Sequence, residues 1–393
     1  MGPDPTDGGE LSISDDADVL DRLAPEWERL VGALSETNSI FASPQWGRTW
    51  WAYFGRDRKL NLAIARRAGA LVAVAPLCTR RRGGIRIREF LGSEERDVGS
   101  ILVAGDDDAL AARLVRVVLD DDGWDFLDLW GIVAGSTTAA ALSGGLAASG
   151  VAHEIVPMTL NPVLDLRSDT WAASASRSML RDLARQRRAL ERQGNLVLVF
   201  PKTLDEVESA MDDLRTHHIE RWRRVGEMSL LRLDDYFAWI RGLSLDAWRQ
   251  GWLYLPRLLL DGRLVAVGLY LLYRRRLFYW MGAHGSDFAR YSPNQLLMRA
   301  VVDDIRSSGS ADVLDFGSGG EPYKLRWTET SLQLVRVMAW RGYRGQVAHF
   351  WQGRVRPWAW AHQDLTRPMR RWRQLRRLLT AKGRRDRPTI SPQ

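Results

Sequence analysis

Between Tyr291 and Trp327 the chain reads YSPNQLLMRAVVDDIRSSGSADVLDFGSGGEPYKLRW, and the residues able to do chemistry crowd into its two ends. At the far end Glu321, Tyr323, Lys324 and Trp327 place a carboxylate, a phenol, an amine and an indole on about one helical turn. At the near end Ser292 and Pro293 read as the N-cap and first position of a helix that Gly309 closes. Leu296, Leu297, Ala300, Val301 and Ile305 line its inner face. A helix starting there leaves unpaired N–H groups and the positive end of its dipole facing whatever precedes it, which suits an anion. Val313–Phe316 reads as a short buried strand, and Gly317, Gly319 and Gly320 mark a backbone that bends or admits a close neighbour. Each of these residues also has a plain structural reading, as part of a capped helix, a turn and a surface helix.

The run SPNQLL followed by LDFGSGGEPYKLRW resembles the GNAT-type acyltransferases of the cellulose-biosynthesis (CelD-like) family, distant relatives of the FemAB peptidoglycan transferases. That family's pattern is roughly S-P-G-x-L-L, then D-F-G-R-G-x-E-x-Y-K-x-x-W. The chain meets it at Ser292, Pro293, Leu296, Leu297, Asp315, Phe316, Gly317, Gly319, Glu321, Tyr323, Lys324 and Trp327. Asn294 stands where the family often has Gly, and Ser318 where it often has Arg.

The resemblance implies transfer of an acyl group from acetyl-CoA or another acyl-CoA to a nitrogen or oxygen of the acceptor. The acceptor class it implies is a sugar, an amino sugar or a small amine in envelope or exopolysaccharide synthesis. Tyr323 is then the general acid for the leaving thiolate, with Glu321 or Asp315 as base, directly or through water. Arg290, Ser292, Asn294 and Gln295 would hold the pyrophosphate at the helix start, in place of the Q/R-x-x-G-x-G/A loop usual in the superfamily, which is absent. Lys324, Trp327, His284 and Trp222 would face the acceptor. Two other readings stay open. One is an aminoacyl-tRNA-dependent FemAB-type transferase, although the long helical-hairpin arm of that group has no counterpart here. The other is a catalytically idle GNAT-like subunit that recruits a polysaccharide synthase, a reading the Ser318 departure favours.

These residues need a scaffold, and the length of 393 residues gives room for two cores. Residues 68–74, AGALVAV, align with residues 261–267, DGRLVAV, and each copy reads as the turn and second strand of a meander. Each soon reaches an arginine triplet, Arg80–Arg82 and Arg274–Arg276. The expected class is therefore α/β: tandem GNAT-like units over 17–160 and 161–340, with mixed sheets, antiparallel meanders and flanking helices. A disordered N-terminus covers 1–16, and a basic, Trp/Arg-rich helical tail covers 341–393. In the first unit Ala17–Leu34 and Phe41–Phe54 read as helices, the second entered through Ser43-Pro44. Leu60–Ala65 and Leu71–Cys78 read as a hairpin, and a helix over Asp108–Leu119 separates strands at Arg88–Leu91 and Phe126–Trp130. In the second unit Ser176–Arg192 reads as a basic amphipathic helix and Thr203–Trp222 as a long one. The second meander occupies Trp252–Leu260, Arg263–Tyr273 and Leu277–Gly282, and Leu332–Ala339 is the last strand.

The single cysteine, Cys78, lies in an apolar run and reads as a packed thiol. Six scattered histidines without ligand spacing give no metal site, and no Walker loop, Gly-x-Ser-x-Gly or dinucleotide fingerprint is present. No signal-peptide pattern opens the chain, so the expected compartment is the cytoplasm, with peripheral contact at the inner membrane face. The net charge of +8 is unevenly spread: residues 341–393 hold fourteen Arg/Lys against two Asp, a local +12 that leaves −4 for the rest. Pro368–Lys382 reads as a basic helix with Met369, Trp372, Leu375 and Leu379 on one side. Residues 366–385 are accordingly expected to touch an anionic membrane, and nucleic acid is not the expected partner.

Overall fold

A computed structural model describes residues 10–34, 39–93, 95–167 and 171–355. The predicted basic helix over Pro368–Lys382, the expected membrane contact at 366–385 and residues 1–9 of the predicted disordered N-terminus lie outside those residues, whereas residues 10–14 of that N-terminus form a strand. The strands are β1 (Glu10–Ser14), β2 (Arg58–Arg67), β3 (Ala70–Arg82), β4 (Ile85–Phe90), β5 (Leu102–Val103), β6 (Phe126–Val133), β7 (Ala152–Asp165), β8 (Leu196–Val199), β9 (Leu253–Tyr254), β10 (Arg257–Leu260), β11 (Arg263–Tyr273), β12 (Arg276–His284), β13 (Val313–Asp315) and β14 (Ser331–Trp340). The helices are α1 (Val19–Arg22), α2 (Ala24–Ala33), α3 (Pro44–Phe54), α4 (Asp108–Asp120), α5 (Thr137–Ser149), α6 (Trp171–Ser174), α7 (Arg177–Glu191), α8 (Leu204–Arg224), α9 (Asp234–Arg249), α10 (Pro293–Ser308), α11 (Pro322–Leu325) and α12 (Gly342–Phe350).

Both halves use one plan. β2, β3 and β4 form an antiparallel meander, as do β10, β11 and β12. The first turn of each has positive φ at both central residues, Ala68 (49°) and Gly69 (81°) against Asp261 (47°) and Gly262 (79°). That is the hairpin turn whose twist matches the flanking strands, so the repeated AGALVAV/DGRLVAV signal is a repeated backbone. The arginine triplets do not share a role. Arg80–Arg82 end β3, whereas Arg274 and Arg275 are themselves the turn, because β11 has 11 residues where β3 has 13. From each meander the chain crosses through a helix, α4 or α10, and returns parallel, β6 beside β4 and β13 beside β12.

Among the described residues one hydrogen-bonded path runs through the sheet in the order β1-β2-β3-β4-β6-β14-β7-β13-β12-β11-β10-β8. The halves exchange their last strands. β14, read from the sequence as the end of the second unit, lies between β6 and β7, with Trp340 opposite both Phe126 and Ala152. β7 runs through residue 161 and ends on β13, with Val163 opposite Asp315. The large mixed sheet with flanking helices is the expected α/β class, and its two meanders are joined edge to edge through this exchange.

Ser43 accepts from the Trp46 N–H and starts α3, whose Trp46 and Trp50 are fully buried. α3 packs on α9 of the second half, and Trp46 meets Trp239 and Trp280 at ring distances of 5.4 and 5.3 Å. One aromatic core is thus common to both halves. A second core holds Leu296, Leu297, Val301 and Ile305 of α10 with Met179, Leu183 and Leu190 of α7, as their helical spacing dictates. Cys78 is buried, which pushes its thiol up to about 12, as for a packed residue.

Loop 95–101 is held against β6 by the Gly99 N–H, which donates to the Gly131 carbonyl at 3.0 Å. Gly131 has φ of 78°, and a Cβ there would lie 2.4 Å from the Asp97 carbonyl oxygen. Gly135 has the same handedness (φ 79°) but open space around it. Gly135→Ala is expected to cost about 1 kcal/mol from backbone strain alone, and Gly131→Ala about 2–4 kcal/mol because the clash adds to that strain. Urea midpoints of the two variants measure the difference; equal losses would mean that loop 95–101 yields freely.

Candidate active site

β12 and β13 pair only over Arg276–Phe278 and Val313–Asp315, after which β12 continues to His284 with β11 as its partner. The strands therefore part, and α10 begins in the gap. A cavity of about 270 Å³ opens there, lined by Tyr279 and His284 of β12, Ser292 to Gln295 at the start of α10, Tyr323 of α11 and Arg221 of α8. The β11–β12 register slips between Leu269 and Tyr270, leaving Trp280 as the extra residue on β12. Such a bulge re-aims neighbouring side chains: Trp280 packs on Trp46 in the shared core while Tyr279 faces the cavity.

α10 spans the predicted residues, and Gly309 closes it in the left-handed conformation. The expected Ser292 cap is not made. An N-cap hydroxyl folds back over the first turn only from an extended backbone, and Ser292 is left-handed at φ 49°, ψ 50°. Its Oγ instead accepts from the Gln186 side chain of α7 at 3.4 Å. The helix start is consequently open, with no acid in its first turn, and the Asn294 Oδ1 is buried without a partner. The matching start of α4 is closed. Asp107 caps the Leu110 N–H at 2.9 Å, Asp108 adds a second carboxylate, and loop 95–101 occupies the space beside β6. An anion fits the second half's helix start and is repelled from the first's.

Burial lowers the pKa of His284, and the charges of Arg221, Arg224 and His217 lower it further against the opposing pull of the Gly285 carbonyl. Its Nδ1 lies 3.1 Å from that carbonyl, which can only accept. Nδ1 therefore carries the proton and Nε2 keeps its lone pair. Burial raises the Tyr323 hydroxyl well above the usual phenol value, with Tyr279 and Glu321 adding to the effect and Arg221 opposing it. Tyr279 is pushed up to about 12, again by burial first. Both phenols stay protonated at neutral pH and can donate.

The remaining predicted residues lie around the cavity rather than in it. Trp327 is fully buried and donates from Nε1 to the Gln295 Oε1 at 2.7 Å, so it acts on the cavity by orienting Gln295. Lys324 is buried, donating to the Ser318 carbonyl at 2.8 Å and the Gly317 carbonyl at 3.3 Å, with the Glu321 carboxylate at 3.0 Å. Its charge is spent on shaping the glycine loop. Asp315 accepts from Asn161 (2.8 Å), Arg276 (2.9 Å) and the Gly317 N–H (2.9 Å), and borders a separate 400 Å³ hollow. Glu321 is half exposed at the N-cap of α11. Arg290 stays outside, on the Tyr291 hydroxyl at 2.7 Å. Trp222 is exposed and donates to His218 at 3.0 Å. The sequence reading missed Arg221 and Tyr279. Arg221 is one residue from Trp222, but one residue on a helix is about 100° of rotation. Nothing in a strand's alternation separates Tyr279 from its neighbours. Among the described residues no cluster of His, Cys, Asp or Glu could hold a metal ion, and no helix is long and apolar enough to cross a membrane.

Residues 177–325, from α7 to α11, match the acetyltransferase (GNAT) domain family. This segment, which contains the cavity, is a GNAT-type acyltransferase domain. No curated protein matches the chain. Among solved structures, FemX superposes with a TM-score of 0.62 at 10% identity, covering 83% of this chain and 97% of its own. The DUF2156 C-terminal domain from Agrobacterium fabrum superposes at 0.52, with 12% identity and coverage of 84% and 94%. L-PGS from Bacillus licheniformis gives 0.50, with 12% identity and the same coverage. At these identities the likeness concerns the fold.

Ser318, where the motif's relatives often carry arginine, donates to the Asp97 Oδ1 at 2.5 Å and so ties the glycine loop to the first half. Burial pushes Asp97 up to about 6; Asp315 adds to this, and the Ser318 hydrogen bond and Lys324 oppose it. Its folded value exceeds the ordinary 3.8. The native state thus holds this proton more tightly than the unfolded chain, and stability falls as pH rises from about 4 to about 6. Asp97→Asn removes the titration. Relative to the wild type it should gain on the order of 1–3 kcal/mol between pH 4 and pH 7.5, read from urea unfolding at both values. A difference that does not change with pH would show that Asp97 ionises freely.

Proposed function

We propose that the protein is an acyl-CoA-dependent N- or O-acyltransferase of the CelD-like type. It acts in the cytoplasm on a sugar, an amino sugar or a small amine of envelope or exopolysaccharide synthesis. The acceptor class rests on the motif resemblance. The chemistry rests on one observation: a neutral histidine with a free Nε2 and a protonated tyrosine line the same cavity, at an open helix start. His284 Nε2 takes the proton from the acceptor amine or hydroxyl as that atom attacks the thioester carbonyl, and the Tyr323 hydroxyl protonates the departing thiolate. The α10 N–H groups, Ser292, Asn294 and Arg221 would receive the pyrophosphate. His284 replaces Asp315 as the base, since Asp315 is committed to Arg276 and Asn161. In the same proposal residues 161–340 form the unit that carries the site, and residues 17–160 a related unit that supports it.

A second reading, an aminoacyl-tRNA-dependent FemAB-type transferase, is favoured by a specific feature. Arg181, Arg188 and Arg192 are exposed along α7 with no ion pair among the described residues, and α7 packs beside α10. Thermal-shift measurements with acetyl-CoA, longer acyl-CoAs and aminoacyl-tRNA separate the two. A ligand at a hundredfold its Kd stabilises the native state by about 2.7 kcal/mol, and stabilisation by aminoacyl-tRNA alone would overturn the acyl-CoA reading.

With the donor known, Tyr323→Phe is expected to lower kcat by about 100-fold or more, with little change in KM for the donor. The acid limb of the wild-type pH–rate profile should fall below the ordinary imidazole value of 6.5, because burial depresses His284. His284→Gln should remove that limb. A loss confined to KM, or a limb that persists without His284, would dismiss these roles.

A further inference from the structure

α12 is docked firmly by one face. A Cβ on Gly345 would lie 2.2 Å from the Asp125 carbonyl oxygen, and Ala348 and Gln352 are each 4% exposed. The His349 ring stacks on Trp340 at 3.6 Å, and its Nε2 lies 2.9 Å from the Glu154 carboxylate. The opposite face carries Tyr343, Val347, Phe350 and Trp351, exposed by 80%, 41%, 62% and 47%. At helical spacing these four fall within a sector of about 100°, so a rigid element presents an apolar stripe that covers nothing among the described residues.

The charge of the sequence that continues from the stripe indicates what covers it. From Thr330 to Gln363 the sequence has no Asp or Glu, and residues 356–393, which continue from the stripe, hold eleven Arg/Lys against two Asp. Arg344 on α12 itself is exposed. Tyr, Phe and Trp beside such an excess of arginine match the boundary of an anionic bilayer, where aromatic rings sit at headgroup level and cations meet lipid phosphate. We propose that the α12 stripe, together with the basic chain that follows it, seats the protein on an anionic lipid surface. The stripe supplies the part of the binding that salt does not screen, and the arginines supply the part that it does.

The test uses the full chain with vesicles of equal parts phosphatidylcholine and phosphatidylglycerol, and with vesicles of phosphatidylcholine alone. The wild type should co-sediment with the mixed vesicles about ten-fold more strongly than with the neutral ones, and high salt should weaken this binding only in part. Phe350→Ser/Trp351→Ser should lower the partition by about ten-fold at high salt and leave the unfolding midpoint unchanged, since both side chains are exposed. Three outcomes would overturn the proposal. The double variant could bind as well as the wild type. Its midpoint could drop by several degrees, meaning that the protein's own chain covers the stripe. Light scattering could find a wild-type dimer that the variant separates, meaning that a second copy does.

Discussion

The ladder between β7 and β14 is the constraint on which the rest of the structure depends. β14 pairs along its whole length with β7 and over most of it with β6, while the end of β7 pairs with β13. Each half thus lends its last strand to the other, and neither sheet is complete alone. The glycine loop and α11 are strung between β13 and β14, so both anchors of the segment bearing Tyr323 are set by this exchange. Separating the halves would expose a row of backbone donors and acceptors on β7 and β14, and the aromatic core shared by α3 and α9 besides.

Within that frame, the repeated plan yields two helix starts of different character. Both halves offer a meander, a crossover helix and a parallel return strand. At the first helix start, two aspartates and a packed loop occupy the space that the second half leaves open. At the second, a left-handed Ser292 turns its hydroxyl away and leaves the first turn of α10 uncapped. A non-glycine residue in that conformation costs on the order of 1 kcal/mol, and the surrounding packing of α7 on α10 holds it there.

The polar groups of the motif divide by burial. Lys324, Asp315 and Ser318 look reactive in the sequence, yet each is consumed by a local network that fixes the glycine loop. Burial without partners would be costly for each of them, and their partners are the loop's own carbonyls, Arg276 with Asn161, and Asp97. The groups to which the proposed chemistry falls are the ones whose burial keeps them neutral: His284, Tyr323 and Tyr279.

The sequence by itself determined the local features. Hydrophobic spacing marked α2, α7 and α10, the Ser43-Pro44 entry marked α3, and turn residues marked both meanders, because each depends on neighbours within a few positions. The repeat and the residues of the motif pointed to a segment in which Ser292, Asn294, Gln295, His284 and Tyr323 line one cavity. α5 stayed unseen because its run of Ala, Gly, Ser and Thr has no apolar stripe to set a period. Only the tertiary structure decided that β14 belongs between β6 and β7, since strand pairing is settled by partners far apart in the chain. It alone turned Arg221 and Tyr279 toward the site and Asp315 and Lys324 away. Side-chain direction depends on register, bulge and rotation about a helix axis, and a shift of one residue is enough to reverse it.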